Sequence, residues 1–126
     1  MDTRAKIIDL EQAARLRGPL TLVAGFFDIL HAGHARFLEG LRSGDATLLV
    51  ALYDDSSLCR LLGRPRPVLP ELARAQLVAA LAAVDYVLIW RDPSLESLLN
   101  RLHPHRVEHA PDERNIIVEI QKRYVG

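Results

Sequence analysis

The sequence is short of cysteine and carries no excess charge of either sign. Its single cysteine, Cys59, excludes a disulfide within the chain and fits a reducing compartment. Because 16 basic residues balance 16 acidic ones, the charge gives no general affinity for nucleic acid or an anionic membrane. No apolar run is long enough to span a bilayer, and residues 1–12 carry charges where a signal peptide would have its apolar core. We therefore expect a soluble, cytoplasmic protein with neither nucleic acid nor membrane as a partner.

The length of the sequence fits one domain over residues 1–126, because a chain of this size can bury a hydrophobic core. There is no internal repeat and no low-complexity segment. Short apolar runs alternate with helical patterns along the chain. This alternation predicts an α/β fold, a parallel sheet with helices on both faces.

The stretch from Leu20 to Leu38 contains the clearest functional pattern. It begins with an apolar run, Leu20–Ala24, that fits a buried parallel strand, and it ends in a helical pattern. His31 and His34 fall between the two, at the predicted start of the helix. Free backbone N–H groups and the positive end of the helix dipole collect anions at such a junction. We expect the two imidazoles to face one another there across a bound phosphate.

Two other interpretations of these histidines stay open at this level. A histidine at a helix start is commonly a surface residue or a cap. His31, His34 and Asp28 are also possible zinc ligands, although structural zinc sites use four ligands and usually several cysteines. Gly33, between the histidines, allows a ligand or another backbone to approach closely.

The rest of the chain supplies the other predicted elements. Asp9 is expected to cap a short helix that Gly18-Pro19 ends, and Asp55 is expected to cap a weak helix over Ser56–Leu62. Further strands are predicted at Ala46–Leu52, Val87–Trp90 and, marginally, 104–109, and further helices at Pro70–Val84, from Asp92-Pro93-Ser94 to Leu102, and over Asn115–Tyr124. Three histidines near the C-terminus could form a metal site or, more plainly, a pH-sensitive surface patch: His103, His105 and His109.

Gly25-Phe26-Phe27-Asp28 and His31-Ala32-Gly33-His34 together resemble the nucleotidyltransferases of the cytidylyltransferase type. Within that family they are similar to the nucleotidyltransferase domain of ADP-heptose synthase and to glycerol-3-phosphate cytidylyltransferase. The resemblance implies a Rossmann-like three-layer α/β/α fold with a parallel sheet of about four strands. It also implies transfer of a nucleoside monophosphate from ATP or CTP to a phosphorylated small molecule such as a sugar phosphate, with release of pyrophosphate.

The family pattern also assigns roles to residues of this chain. His31 and His34 would bind the nucleotide phosphates and stabilise the transition state. The other residues implied for nucleotide binding are Gly25, Phe26, Phe27, Asp28, Gly33, Arg66 and Arg74. Among these, Asp28 would order the loop and Arg74 would hold the outer phosphates. Mg²⁺ would arrive with the triphosphate, no resident metal ion is expected, and the family suggests a homodimer.

The chain departs from the family pattern at three places. Leu62 stands where relatives carry a lysine, and Asp112-Glu113-Arg114 replace a Ser-Thr-rich helix start that holds phosphate. A stretch that contains a further strand in relatives is missing before this point. These departures leave an alternative open: a catalytically weak or inactive relative that acts as a nucleotide- or phosphate-binding module or as a regulatory module. The base and the acceptor are not determined by the sequence.

Overall fold

The computed structural model describes residues 2–63 and 67–111. Its strands are β1 (Leu20–Gly25), β2 (Thr47–Tyr53), β3 (Tyr86–Trp90) and β4 (Arg106–His109). All of them pair in parallel, and they lie in the order β3-β2-β1-β4. The prediction of a parallel sheet of about four strands is therefore confirmed.

Helices connect the strands and cover both faces of the sheet. A 3-10 helix at Thr3–Lys6 comes first, and the α-helices are α1 (Leu10–Ala14), α2 (Ala32–Gly40), α3 (Asp55–Leu62), α4 (Glu71–Ala79) and α5 (Glu96–Leu102). Buried residues of α2 and α4 pack on one face of the sheet, and those of α1 and α5 pack on the other. The three-layer α/β/α architecture is thus confirmed. Among the described residues, no helix has the length and apolar character needed to cross a bilayer.

β2 shows why the strands read as continuous apolar runs rather than as an alternation of apolar and polar residues. Leu48, Val50 and Leu52 belong to the core cluster shared with α2 and α4. Leu49 and Ala51, which point to the opposite face, belong to the cluster shared with α1 and α5. Because helices cover both faces, every side chain of this strand after Thr47 is buried.

The helix boundaries confirm one predicted cap and correct another. Asp9 caps α1 with a reciprocal capping box, as predicted. The predicted cap at Asp55 is wrong, because the neighbouring Asp54 accepts the Ser57 N–H, at 2.9 Å, and Asp55 is the first residue of α3. The helix predicted to run from Pro70 to Val84 ends at Ala79. The predicted C-terminal helix lies outside the described residues.

Candidate functional site

The first turn of α2 is capped by the two histidines of the His-x-Gly-His segment. His31 is the N-cap, and its Nδ1 accepts a hydrogen bond from the Gly33 N–H at 3.0 Å. His34 reaches back, and its Nδ1 accepts from the His31 N–H at 3.2 Å. The two rings are 4.1 Å apart between centroids, with an angle of 42° between their planes. The histidines therefore satisfy backbone donors that a helix start otherwise leaves open.

This capping fixes the tautomer of both neutral rings. A neutral imidazole has one N–H, and its other nitrogen is an acceptor. Because each Nδ1 accepts from a backbone N–H, the proton of each neutral ring is on Nε2. Both histidines therefore present an N–H donor on the side of the ring away from the helix backbone. His31 is exposed, whereas His34 is only 1% exposed.

The arrangement of the rings differs from the expected one. A centroid separation of 4.1 Å is ring contact, so no phosphate fits between the two imidazoles in this conformation. The space beside Gly33 is also filled, since a Cβ there would lie 2.7 Å from His31 Cε1. The two rings lie side by side instead, with His31 outermost. An anion that reaches this corner would meet His31 first.

Phe27 and Gly25 shape the loop between β1 and α2. Phe27 has a positive φ of 51°, an unusual conformation for a bulky residue, and it is 1% exposed. In this conformation its ring lies over Gly25 and packs against the His34 ring, 5.2 Å away between centroids. Gly25 has no side chain to obstruct this packing, so the Phe27 ring can lie between Gly25 and the His34 ring.

Replacing Gly25 with alanine should destabilise the protein by about 1–3 kcal/mol, the usual cost of forcing extra volume into a packed site. The added Cβ would lie 2.6 Å from Phe27 Cε2 and 2.7 Å from the Ala110 Cβ. Urea denaturation measures the loss, and Gly40→Ala is the matched control because a Cβ at Gly40 meets nothing within 4 Å. Equal stability of the two variants would contradict this account of Gly25.

Asp28 is fully buried and ties the β1–α2 loop to a second loop. Its two carboxylate oxygens accept the N–H groups of Val68 and Leu69 at 3.0 and 2.8 Å. The Asp28 carboxylate therefore fixes the segment that leads into α4, which agrees with the expectation that Asp28 orders a loop. Its place in the site stays a prediction.

Asp28→Asn should loosen this connection, because an amide has one acceptor oxygen and its NH₂ group would face a backbone donor. The expected cost is about 1–3 kcal/mol. Hydrogen exchange at the amides of Val68 and Leu69 should accelerate by about tenfold or more, since about 1.4 kcal/mol corresponds to tenfold. Asp92→Asn is the control, because Asp92 accepts from a single backbone N–H and an asparagine can still do so. Unchanged exchange at both amides would show that Asp28 does not hold the loop.

Arg74 takes a different position from the one expected of a phosphate-binding cation. It is 0% exposed, and its guanidinium makes four hydrogen bonds inside the protein. The acceptors are the carbonyl oxygens of Leu69, Phe26 and Tyr53, at 3.0, 2.8 and 2.8 Å, and Asp55 Oδ1 at 2.8 Å. In this structure Arg74 therefore joins the carboxyl ends of β1 and β2 and does not point into an open phosphate site.

A group of charged residues surrounds the carboxyl end of β2. Glu71 Oε1 accepts the Asp55 N–H at 3.1 Å, and Arg91 Nη1 lies 2.8 Å from Glu71 Oε2 and 3.8 Å from Asp54 Oδ2. The Arg91 side chain is 64% exposed, and sequence reasoning missed it. The available signal was its position directly after β3, because ligands of open α/β sheets bind beyond the carboxyl ends of strands. Beside this group, burial raises the pKa of the Tyr53 phenol, which stays neutral.

The histidine-rich C-terminal patch does not converge in space on a metal site. Within residues 2–63 and 67–111, no three His, Cys, Asp or Glu side chains are arranged to hold a metal ion. His105 Nδ1 lies 2.7 Å from the Leu20 carbonyl oxygen, and His103 is the C-cap of α5 with φ of 47°. His105 thus contacts the start of β1, and His103 ends α5.

The structure brings most of the predicted site residues together at one corner. Gly25 to Asp28, His31, Gly33 and His34 form the β1–α2 junction, and Arg74 contacts that junction through the Phe26 carbonyl. Arg66 lies outside the described residues. A cavity of about 720 Å³ beside β3 includes Arg91 but none of the described candidates of the β1–α2 junction.

Fold and site together define a Rossmann-like α/β protein with a histidine-capped strand-to-helix corner at the carboxyl end of its first strand. Such corners place backbone donors, the helix dipole and imidazole N–H groups on one side of the sheet. The family model described as cytidylyltransferase-like matches residues 22–122. The chain belongs to the cytidylyltransferase-like family, and the resemblance noted from its motifs is confirmed.

Relatives and a solved structure agree with this assignment. The bifunctional protein HldE of Acidiphilium cryptum (strain JF-5) is 42% identical over 103 residues, which cover 81% of this chain and 21% of that protein. HldE of Geotalea uraniireducens (strain Rf4) is 35% identical over 135 aligned positions, which cover 99% of this chain and 28% of that protein. The crystal structure of the lipopolysaccharide core biosynthesis protein from Thermoplasma volcanium GSS1 matches with a TM-score of 0.63 and 26% identity, covering 83% of this chain and 88% of that one. The chain thus corresponds to about a quarter of the HldE proteins.

Proposed function

We propose that this chain transfers a nucleoside monophosphate from ATP or CTP to a phosphorylated small molecule, a sugar phosphate in the first instance, and releases pyrophosphate. Membership of the cytidylyltransferase-like family supports the reaction class. The neighbour named as a lipopolysaccharide core biosynthesis protein supports a sugar phosphate as the acceptor. The observation that carries the proposal is the pair of capped histidines, whose Nδ1 atoms both accept backbone N–H groups.

In this reaction an oxygen of the acceptor phosphate attacks the α-phosphorus of the triphosphate. The bond from that phosphorus to the bridging oxygen breaks, and the negative charge leaves on pyrophosphate. Phosphoryl-type transfer depends mainly on positioning and on stabilising this charge. In this proposal the Nε2–H of His31 donates to the developing charge, and the dipole of α2 adds to its effect. The expected role of His34 as a second donor stays a prediction, because its ring is only 1% exposed in this conformation.

Magnesium enters as part of the substrate, bound to the triphosphate. Mg²⁺ keeps several waters and binds through substrate phosphates with only one or two carboxylates, so it would need no preformed cage of protein ligands here. The protein's own contribution is to orient the phosphates at the β1–α2 corner. Asp28 and Arg74 act as positioning residues, because both hold backbone segments of that corner in place.

The charges near β2 favour a second candidate function, a catalytically weak or inactive relative that binds nucleotide or phosphate only weakly or acts as a regulatory module. Asp54, Asp55 and Glu71 are three carboxylates beyond the carboxyl end of one strand. The Arg74 guanidinium is already hydrogen-bonded inside the protein, to Asp55 among others, and Arg91 forms an ion pair with Glu71. A polyphosphate at that place would meet carboxylates whose partner cations are already engaged, which weakens its binding.

One assay distinguishes the two functions. The protein is incubated with each of the four nucleoside triphosphates, Mg²⁺ and a panel of phosphorylated acceptors, and pyrophosphate release is followed. Release with ATP or CTP that requires the acceptor's phosphate is the expected result, and the same sugars without phosphate are the control. No release, together with a nucleotide-dependent rise in melting temperature, supports the binding module. If neither release nor thermal stabilisation is seen with any triphosphate, both candidates fail.

A further inference from the structure

Arg91 follows β3 directly and lies at the carboxyl edge of the sheet. The Asp54 N–H donates to the Trp90 carbonyl oxygen at 2.9 Å, so the ladder between β2 and β3 continues up to the residue before Arg91. The register aligns Ile89 with Gly25 across β2. Because neighbouring strands are about 4.8 Å apart, these two residues are separated by about 10 Å. Arg91 therefore lies on the same edge as the β1–α2 junction, two strands away from it.

Most of the hydrogen-bonding capacity of the Arg91 guanidinium is unused. Its ion pair with Glu71, at 2.8 Å, and its longer contact with Asp54, at 3.8 Å, both involve Nη1. Its Nε and Nη2 groups have no acceptor within residues 2–63 and 67–111, and the side chain is 64% exposed. A guanidinium presents these donors as a planar fork, which fits two neighbouring oxygen atoms of a ligand.

The carboxylates beside Arg91 can accept hydrogen bonds from the same ligand. Glu71 Oε1 accepts the Asp55 N–H at 3.1 Å, and its Oε2 faces the arginine. Asp54 Oδ1 accepts the Ser57 N–H, whereas its Oδ2 is too far from Arg91 for a hydrogen bond. Each carboxylate oxygen has two lone pairs, so capacity remains for a ligand. A hydroxyl group both donates and accepts, and neighbouring hydroxyls can therefore satisfy the arginine and the carboxylates together.

The cavity beside β3 provides space next to Arg91. Its volume of about 720 Å³ lies within the range of small-molecule sites, about 300–1,000 Å³. Arg91 shares the walls of this cavity with Asp92 and Gln12. Asp92 Oδ1 accepts the Ser94 N–H, and Gln12 Oε1 accepts the Asp9 N–H. The second carboxylate oxygen of Asp92 and the amide NH₂ of Gln12 thus add an acceptor and a donor that suit hydroxyl groups.

We propose that Arg91 determines the acceptor specificity, by binding hydroxyl groups of the sugar phosphate whose phosphate lies at the β1–α2 junction. This inference rests on the proposed function and names the residue that selects the acceptor. A phosphate group alone is too small to reach from that junction to Arg91 across two strand spacings, whereas a phosphorylated sugar extends over this distance. The nearby carboxylates disfavour a triphosphate, but a neutral polyol brings no charge for them to repel.

The same group of charges selects against other kinds of acceptor. An acceptor with an ammonium group would be repelled by the Arg91 guanidinium. An alkyl phosphate would displace water from the Arg91 donors without offering them an acceptor. Sites that hydrogen-bond a substrate hydroxyl reject analogues that lack it, and the rejection is weaker where water still reaches the site. For an arginine that is 64% exposed, we expect about 10–100-fold discrimination in favour of the sugar phosphate.

Replacing Arg91 with methionine tests this assignment. The kcat/KM for a panel of hexose 1-phosphates and heptose 1-phosphates should fall by about 10–100-fold, while the KM for ATP or CTP stays unchanged. The Kd of the sugar phosphate, measured by calorimetry beside a non-hydrolysable triphosphate analogue, should rise by the same factor. Arg91→Lys keeps a positive charge for Glu71 but lacks the planar fork, so it should recover only part of the loss.

Arg101→Met is the matched control for Arg91→Met. It also removes an exposed arginine from an ion pair with a glutamate, here with Glu11 at 2.7 Å between α5 and α1, and it should leave both constants unchanged. Urea denaturation of both variants checks that they fold.

The outcomes separate this inference from the proposed function. Equally efficient pyrophosphate release with ethanolamine phosphate or propyl phosphate, or an Arg91→Met variant that behaves like Arg101→Met, would overturn the role of Arg91 and leave the reaction standing. Sugar-phosphate binding that is lost in Arg91→Met, without pyrophosphate release from any acceptor, would overturn the reaction and support the Arg91 site. If the wild-type protein binds no sugar phosphate of the panel, the inference fails.

Discussion

Replacing Arg74 with methionine is expected to lower the free energy of unfolding by about 3 kcal/mol. Methionine keeps much of the volume but supplies no donor to the carbonyl oxygens of Phe26, Tyr53 and Leu69, which the guanidinium now satisfies. A buried acceptor left without its donor costs about 1–3 kcal/mol. Asp55 adds less, because its side chain is 38% exposed and water can solvate the carboxylate once the arginine is gone. Urea denaturation monitored by circular dichroism measures the total.

Two controls separate the contributions of Arg74. Arg36→Met removes an exposed arginine of α2 and should change stability by no more than about 0.5 kcal/mol. Asp55→Asn keeps an acceptor oxygen for the guanidinium, so it should cost much less than Arg74→Met. If Asp55→Asn proves as damaging as Arg74→Met, the ion pair and not the carbonyl contacts holds the corner. If Arg74→Met behaves like Arg36→Met, the guanidinium does not join β1 to β2 at all.

The position of Arg74 also shows where sequence reasoning reaches its limit. The helical pattern of α4 correctly predicted a helix at this place. It did not predict that the arginine turns inward, because its acceptors come from three other segments: the β1–α2 loop, the β2–α3 junction and the loop before α4. Which carbonyl oxygens lack donors is a property of the assembled sheet. A charged residue in a helix is read from sequence as exposed, since buried arginines are rare.

The β1–α2 junction with its two histidines was more predictable, because the residues that form it are close together in the sequence. The apolar run of β1, the two glycines and the histidines three positions apart lie within one short stretch, and the structure places them at a strand-to-helix junction. The helix cap is also local, since each Nδ1 bonds a backbone N–H within three residues. What was missed is the direction of the rings. The two histidine rings lie in contact at 4.1 Å, and the Phe27 ring, at a residue with positive φ, packs against His34 as well.

The cap uses Nδ1 of His31, whereas the proposed catalytic donor is Nε2–H. Two amino-acid substitutions can therefore separate the structural role of His31 from its catalytic role. His31→Asn places an oxygen near the present Nδ1, so the Gly33 N–H keeps its acceptor, and asparagine is among the best N-cap residues. The variant loses the Nε2–H, however, and pyrophosphate release should fall by about 10²–10³-fold, as when a donor to a developing charge is removed. His31→Gln should behave in the opposite way. It retains an amide donor near the Nε2 position but caps poorly, so it should lose about 1 kcal/mol of stability and keep more activity.

The comparison of these two variants decides what the histidine does, because a purely structural cap predicts the reverse order of activity. If His31 only capped α2, His31→Asn would release pyrophosphate at the wild-type rate and His31→Gln would be the weaker enzyme. His103→Asn is the control for losing an imidazole elsewhere, since asparagine tolerates the positive φ at that helix end. Steady-state rates beside urea melts for all three variants give both readouts. A large loss of release in His31→Asn at unchanged stability would assign to Nε2–H a direct contact with the phosphates, since the cap would still be in place.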